Sequence, residues 1–152
     1  MRNLLQTCLQ HIAIRRGGIE HFGVKKVENV TRLVQTETVR LDQDQLNGLY
    51  TQLGEANAED IVCRAIEELA VRMSHCERLW RERDYDALRK SARSLIAISE
   101  QIGMTGLARV AGDVTVAVDN GDYPALGATV FRLLRIGERS LMAVWDLQDL
   151  SV

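Results

Sequence analysis

At 152 residues, 46% apolar and 26% charged, the chain has the size and composition of one water-exposed globular domain. No run of about 18 apolar residues is present, so no transmembrane helix is predicted; the apolar piece near the start, broken by Gln6, Gln10 and His11, lacks the long hydrophobic region of a secretory leader. The formal net charge of −2 hides an asymmetry: seven Lys/Arg stand against three Asp/Glu through Arg40, and twelve against eighteen thereafter.

Residues 1–40 read as a basic N-terminal arm or extension packed on the body, with short helices near Leu4–Ile14 and Val24–Val34. The arm has no clustered basic stripe with interleaved aromatics, which argues against a nucleic acid partner, and no membrane partner is expected.

From Leu41 the punctuation becomes regular. Asp42 followed by Gln45 is a capping box. It opens a helix near 43–53 with Leu46, Leu49, Tyr50 and Leu53 as its apolar stripe, and Gly54 closes it. A second helix opens at Asn57 or Ala58 and runs over 58–82, with Ile61, Ala65, Ile66, Leu69, Ala70, Met73 and Leu79 recurring at three and four. Asp84 caps a third over 85–102, whose stripe is Leu88, Ala92, Leu95, Ser99 and Ile102, and Gly103 ends it. Thr105 caps a fourth over 106–119, with Leu107, Val110, Ala111, Val114 and Val118 inward. Gly121 stops that helix. Asp122 caps a fifth over 123–145, with Pro124 tolerated in its first turn and Leu126, Val130, Leu133, Leu134, Ile136, Leu141 and Val144 facing the core. Leu69, Met73, Leu95, Ile102, Leu107, Val114, Val130 and Leu134 are the predicted buried set. Short connections between long amphipathic helices predict antiparallel neighbours and an up-down bundle. Apolar residues continue through Leu147, Leu150 and Val152, which predicts a tail packed on the body or the arm.

Little in the sequence carries chemistry. His11, His21 and His75 fall in no cluster with ligand spacing, so no metal and no cofactor is expected. There is no glycine-rich phosphate loop and no nucleophile elbow. The pairs Glu67–Glu68 and Asp146–Asp149 read as solvated carboxylates. Nothing specifies an enzyme. The three cysteines are odd in number, and Cys63 and Cys76 would lie about 20 Å apart along one helix, beyond disulfide reach. Reduced thiols and a cytoplasmic location follow as the expectation.

One stretch does suggest a role. "LDQDQLNGLYTQLGE", "EDIVCRAIEELAVRMSHCERLWRERDYDALRKSARSL", "RSLIAISEQIG" and "GDYPALGATVFRLLRIGERSL" read in order as a short lead helix, a second helix running into a third, the motif on that third helix, and a closing helix. This order resembles the histidine phosphotransfer (HPt) domain, the bundle that relays phosphate in bacterial two-component signalling. The family's motif is His, any residue, Leu, Lys, Gly, then five or six residues to a glycine. Leu95 and Gly103 match it; Arg93 stands where the phosphorylated histidine belongs, Ile96 replaces the lysine and Ala97 the glycine. The resemblance covers about two-thirds of the chain. It implies an all-α, up-down four-helix bundle of HPt type over 41–152, with a short lead helix and the N-terminal extension.

The departures alter the implied function. A guanidinium stays protonated and offers no nucleophilic nitrogen, so Arg93 cannot relay phosphate as the family does. The expectation is a non-catalytic HPt-like protein, an adaptor, decoy or inhibitor. It would bind a response-regulator receiver domain or a histidine kinase through Arg89, Arg93, Ile96, Ala97 and Glu100, which share one side of the third helix. The alternatives are an active phosphotransfer protein using His75, or a helical scaffold unrelated to signalling, including a homodimer.

Overall fold

The computed structural model describes residues 37–39 and 41–149, with side chains through Val144. The short helices expected within 1–40 and the packing of the C-terminal tail lie outside the described residues. All five described helices belong to one compact unit that begins at Thr38. They are α1 (Gln43–Leu53), α2 (Glu55–Glu82), α3 (Tyr85–Gln101), α4 (Thr105–Asp119) and α5 (Tyr123–Asp149). No strand occurs among the described residues.

Helices α2 to α5 pack in a ring, α2 on α3, α3 on α4, α4 on α5 and α5 back on α2, while α1 lies against α2. The centre of the ring is closed by side chains from all four. Leu69, Leu88, Leu95, Ile102, Leu107, Val114, Val130 and Leu133 are fully buried. Burying a leucine of this kind contributes about 1.5–3 kcal/mol, and summed over the four stripes this burial holds the bundle together. Leu134 departs from the expectation: it is half-buried against the core, and Leu133 takes the central place. Both are leucines one residue apart, so they point about 100° apart around the helix, and hydropathy alone does not choose between them. Two small residues permit close approach. A Cβ on Gly137 would overlap the Met73 sulfur, and one on Gly127 would lie 3.5 Å from the Trp80 indole. Helix α5 therefore meets α2 through these two notches.

The turns explain the helix limits. Gly54, at φ 78°, closes α1 and also opens α2, so α2 starts at Glu55 rather than at 57 or 58. Asp84 and Asp122 each accept the amide of the residue three positions on, Ala87 and Ala125, at 3.0 Å. These are the expected N-caps. Thr105 is not a cap: it is the first residue of α4, and the cap position belongs to Met104, which is fully buried and makes no side-chain capping bond. Here burial of a thioether replaces a capping hydroxyl. The Met104 amide reaches back to the Ser99 carbonyl at 2.8 Å, and Gly103 turns the chain at φ 73°.

The capping box at Asp42 forms only in part. The Asp42 carboxylate accepts the Gln45 amide at 3.1 Å. The reciprocal arm goes elsewhere: the Gln45 side-chain amide donates to the Glu100 carbonyl at the end of α3, and the Asp42 amide donates to the Gly103 carbonyl at 2.9 Å. The start of α1 thus adds a donor to the Glu100 carbonyl, which also accepts the Gly103 amide at 3.2 Å, and one to the Gly103 carbonyl just past α3. A Cβ on Gly103 would sit 2.7 Å from the Asp42 carbonyl oxygen, so this docking requires the glycine.

Candidate functional site: the outer face of α3

Helix α3 buries Leu88, Ser91, Ala92, Leu95 and Ser99. The 3.6-residue period then turns Arg89, Arg93, Ala97 and Glu100 away from the core. Arg93, Ala97 and Glu100 are exposed, Arg89 is half-buried, and Ile96 is half-buried because it leans on the core cluster. Arg93 is therefore open to solvent, with the small residue Ala97 one turn along.

Arg89 is already engaged. Its guanidinium forks onto the Asp119 carboxylate at the end of α4, the Nη2–Oδ2 arm measuring 3.0 Å. The hydrogen bond from Arg89 holds the Asp119 carboxyl below the ordinary carboxylate range, against a small opposing effect of burial, and the charge of Arg93 adds to the lowering. Arg89 in turn is held above its usual value, first by the same hydrogen bond. The two cations thus differ. Arg89 is a strut between α3 and α4, whereas Arg93 makes no ion pair among the described residues, with a shared carboxylate close by. Glu100 contributes its carbonyl to the α1 docking described above, while its side chain remains at the surface.

The five residues named from the sequence therefore share one helix, but only Arg93 and Ala97 combine exposure with freedom from the fold's own needs. The sequence does not disclose Asp119, thirty residues away from Arg89, because an exposed arginine has no preferred partner until the α3–α4 packing brings one near.

The other named candidates are elsewhere. His75 is half-buried on α2. Cys76 is buried and its thiol donates to the Ser91 hydroxyl at 3.3 Å; burial pushes the thiol above its usual value, outweighing that hydrogen bond and Arg72. Such a thiol is a packing group rather than a nucleophile. Cys63 is exposed on α2. Among the described residues no group of three His, Cys, Asp or Glu is placed to hold a metal, and no helix is long and apolar enough to cross a membrane.

A second feature lay unread in the sequence. Asp84-Tyr85-Asp86-Ala87-Leu88 and Asp122-Tyr123-Pro124-Ala125-Leu126 repeat one pattern, Asp-Tyr-x-Ala-Leu. Both copies open a helix at the same end of the bundle. Their tyrosines meet, with ring centroids 4.9 Å apart and planes tilted by 35°. Beside them Trp80 packs edge-on to Phe131 at 5.0 Å. Trp80, Arg81, Arg83, Tyr85 and Tyr123 line an open cleft of about 770 Å³.

No protein-family model matches this chain, and no curated protein or solved structure matches it.

Proposed function

We propose that this chain is a non-catalytic bundle of the HPt type that binds a receiver domain, or the kinase that feeds it, through the outer face of α3. The observation that carries this reading is the placement of Arg93: exposed, without an ion pair among the described residues, one turn from exposed Ala97, on a helix whose other side is fully committed to the core. A receiver presents an acidic phosphoacceptor pocket ringed by apolar residues, and an exposed arginine beside a small residue is complementary to it. An arginine at this position can pair with those carboxylates but cannot carry the phosphoryl group, so the protein occupies a receiver without passing phosphate on. The Arg89–Asp119 strut supports the reading indirectly, since it ties α3 to α4 next to the docking position.

The test is capture from the source cell with the full chain as bait, and the same capture with Arg93→Glu. A receiver or kinase held by the first and lost from the second supports the reading; the charge reversal sets an anion against the acidic pocket. Melting should be unchanged, because exposed substitutions alter stability by less than about 0.5 kcal/mol. Retention of the same receiver by Arg93→Glu at low salt removes the α3 face from consideration. The chemistry has its own check. Arg93→His restores only the imidazole, and the triple change with Ile96→Lys and Ala97→Gly should accept phosphate from a phosphorylated receiver better than the single one.

A further inference from the structure

We propose that the cleft between the two Asp-Tyr-x-Ala-Leu turns is a binding site for a small planar aromatic acid. Its volume, about 770 Å³, falls within the range of small-molecule sites, roughly 300–1,000 Å³. Three of its five lining side chains are aromatic, and they come from three different helices: Trp80 ends α2, Tyr85 begins α3 and Tyr123 begins α5. Trp80 is fixed by its edge-on contact with Phe131 and by the notch at Gly127. Tyr85 and Tyr123 brace each other. Rings held in this way present apolar faces at little further entropic cost, which suits the stacking of a flat ligand.

The charge of the ligand follows from the two arginines. Arg81 is spent on Glu77, one turn back on α2. Arg83 makes no ion pair among the described residues, and its guanidinium is the cation left to the cleft. One unspent guanidinium matches one carboxylate, bidentately if the acid lies in its plane. The rim limits that charge. Glu82, Asp84, Asp86 and Asp122 are exposed around the same turns. Glu82 pairs with Arg78 at 3.6 Å and the Asp84 and Asp122 carboxylates are engaged as helix caps; the repulsion that remains grows with the charge of the ligand, so the cleft favours a single negative charge on an apolar ring over a nucleic acid strand.

Arg83 also sits in the left-handed region, at φ 61°, as the one described non-glycine residue with positive φ. A glycine would occupy this position without strain. The turn that carries it is closed by the Asp84 amide on the Leu79 carbonyl at 3.0 Å. This inference does not depend on receiver docking, although Tyr85 lies one turn before Arg89 on α3.

The experiment is isothermal titration of the full chain with 2-naphthoate, 2-naphthylmethanol and 2-naphthylmethylammonium. The expected result is saturable one-site binding of the naphthoate, with the neutral alcohol about tenfold weaker for want of one charge-assisted bond, and the cation weaker still. Arg83→Gly should reduce naphthoate binding to the level of the alcohol. Because glycine relaxes the backbone there, the variant melts no lower than the parent, and its loss of binding cannot be ascribed to unfolding. Tyr123→Ala, at an exposed ring, should weaken all three probes. Naphthoate heats that do not saturate, affinity unchanged by Arg83→Gly, or tighter binding of the cation would each overturn the proposal. None of these outcomes bears on the Arg93 capture, which reads a different surface.

Discussion

The α2–α3 and α4–α5 turns lie at the same end of the bundle and spell the same five-residue pattern, yet the residue before each pattern differs. Gly121 turns the chain at φ 65°, and Arg83 does so at φ 61°. Both turns return an amide to the carbonyl five residues earlier, Asp122 to Ala117 at 3.1 Å and Asp84 to Leu79 at 3.0 Å. The hydrogen bonds are alike; the backbone cost is not. A left-handed non-glycine residue costs roughly 1–2 kcal/mol. The comparison teaches that the turn geometry is set by its hydrogen bonds and its aspartate cap, and that glycine is the relaxed way to reach it rather than a requirement. The third turn, at Gly103, is the contrasting case, because there the missing Cβ also makes room for Asp42.

Substitutions can break this comparison in graded steps. The largest effect belongs to Gly103→Ala, which adds left-handed strain to a backbone clash. It should lose about 2–5 kcal/mol in urea denaturation, and a loss equal to that at Gly121 would show that the Asp42 contact yields freely. Gly121→Arg converts the relaxed turn into the strained one. Nothing lies within 4 Å of the site of its Cβ, so the cost should be the conformational part alone, about 1–2 kcal/mol. Asp84→Ala and Asp122→Ala each remove one cap and should cost about 1 kcal/mol. Near-equal losses would support the likeness of the two turns, and a wide gap would deny it. Arg83→Gly runs the opposite way, with a gain of about 0.5–1 kcal/mol, the relief of strain less the added freedom of the unfolded chain.

The smallest effect is electrostatic. Asp119 has its folded-state pKa lowered, chiefly by Arg89. A lowered carboxyl pKa stabilises the fold above the unfolded value near 4 and ceases to do so as pH falls through the folded value. Melting curves of the parent and of Arg89→Gln should therefore differ slightly at neutral pH and converge in acid. Divergence in acid instead would show that another group controls the pair.

The sequence made most of the helical frame legible, for physical reasons that vary from one element to the next. Stripes such as Leu88-Ala92-Leu95-Ser99-Ile102 fall on one face and are all buried. The caps at Asp84 and Asp122 act locally, within three residues, and local interactions are what a sequence displays. The turn at 83–84 was marked by Asp84, but the left-handed backbone of Arg83 was not, because its usual signal is a glycine. Thr105 was misread as a cap and Leu134 as fully buried because burial of Met104 and Leu133 against distant residues, not local preference, decided both. Of the candidate face, the exposure of Arg93 followed from periodicity, whereas the engagement of Arg89 depended on a partner from another helix. The cleft needed two turns and a tryptophan from three helices; only the repeated pattern could have pointed to it.

The first helix buries no residue completely and is held by its opening turn, through Asp42 and Gln45, to the end of α3. A segment tied by hydrogen bonds only at its start, with Leu46 and Leu49 just half covered against the core, opens more readily than the rest. Its amides should exchange with deuterium long before those of α2 to α5, which can be released only when the whole ring comes apart. The chain thus carries two levels of cooperativity. Each opening of α1 uncovers the Gly103 carbonyl and one side of the Glu100 carbonyl, while the Gly103 and Met104 amides continue to close the end of the helix that bears Arg93.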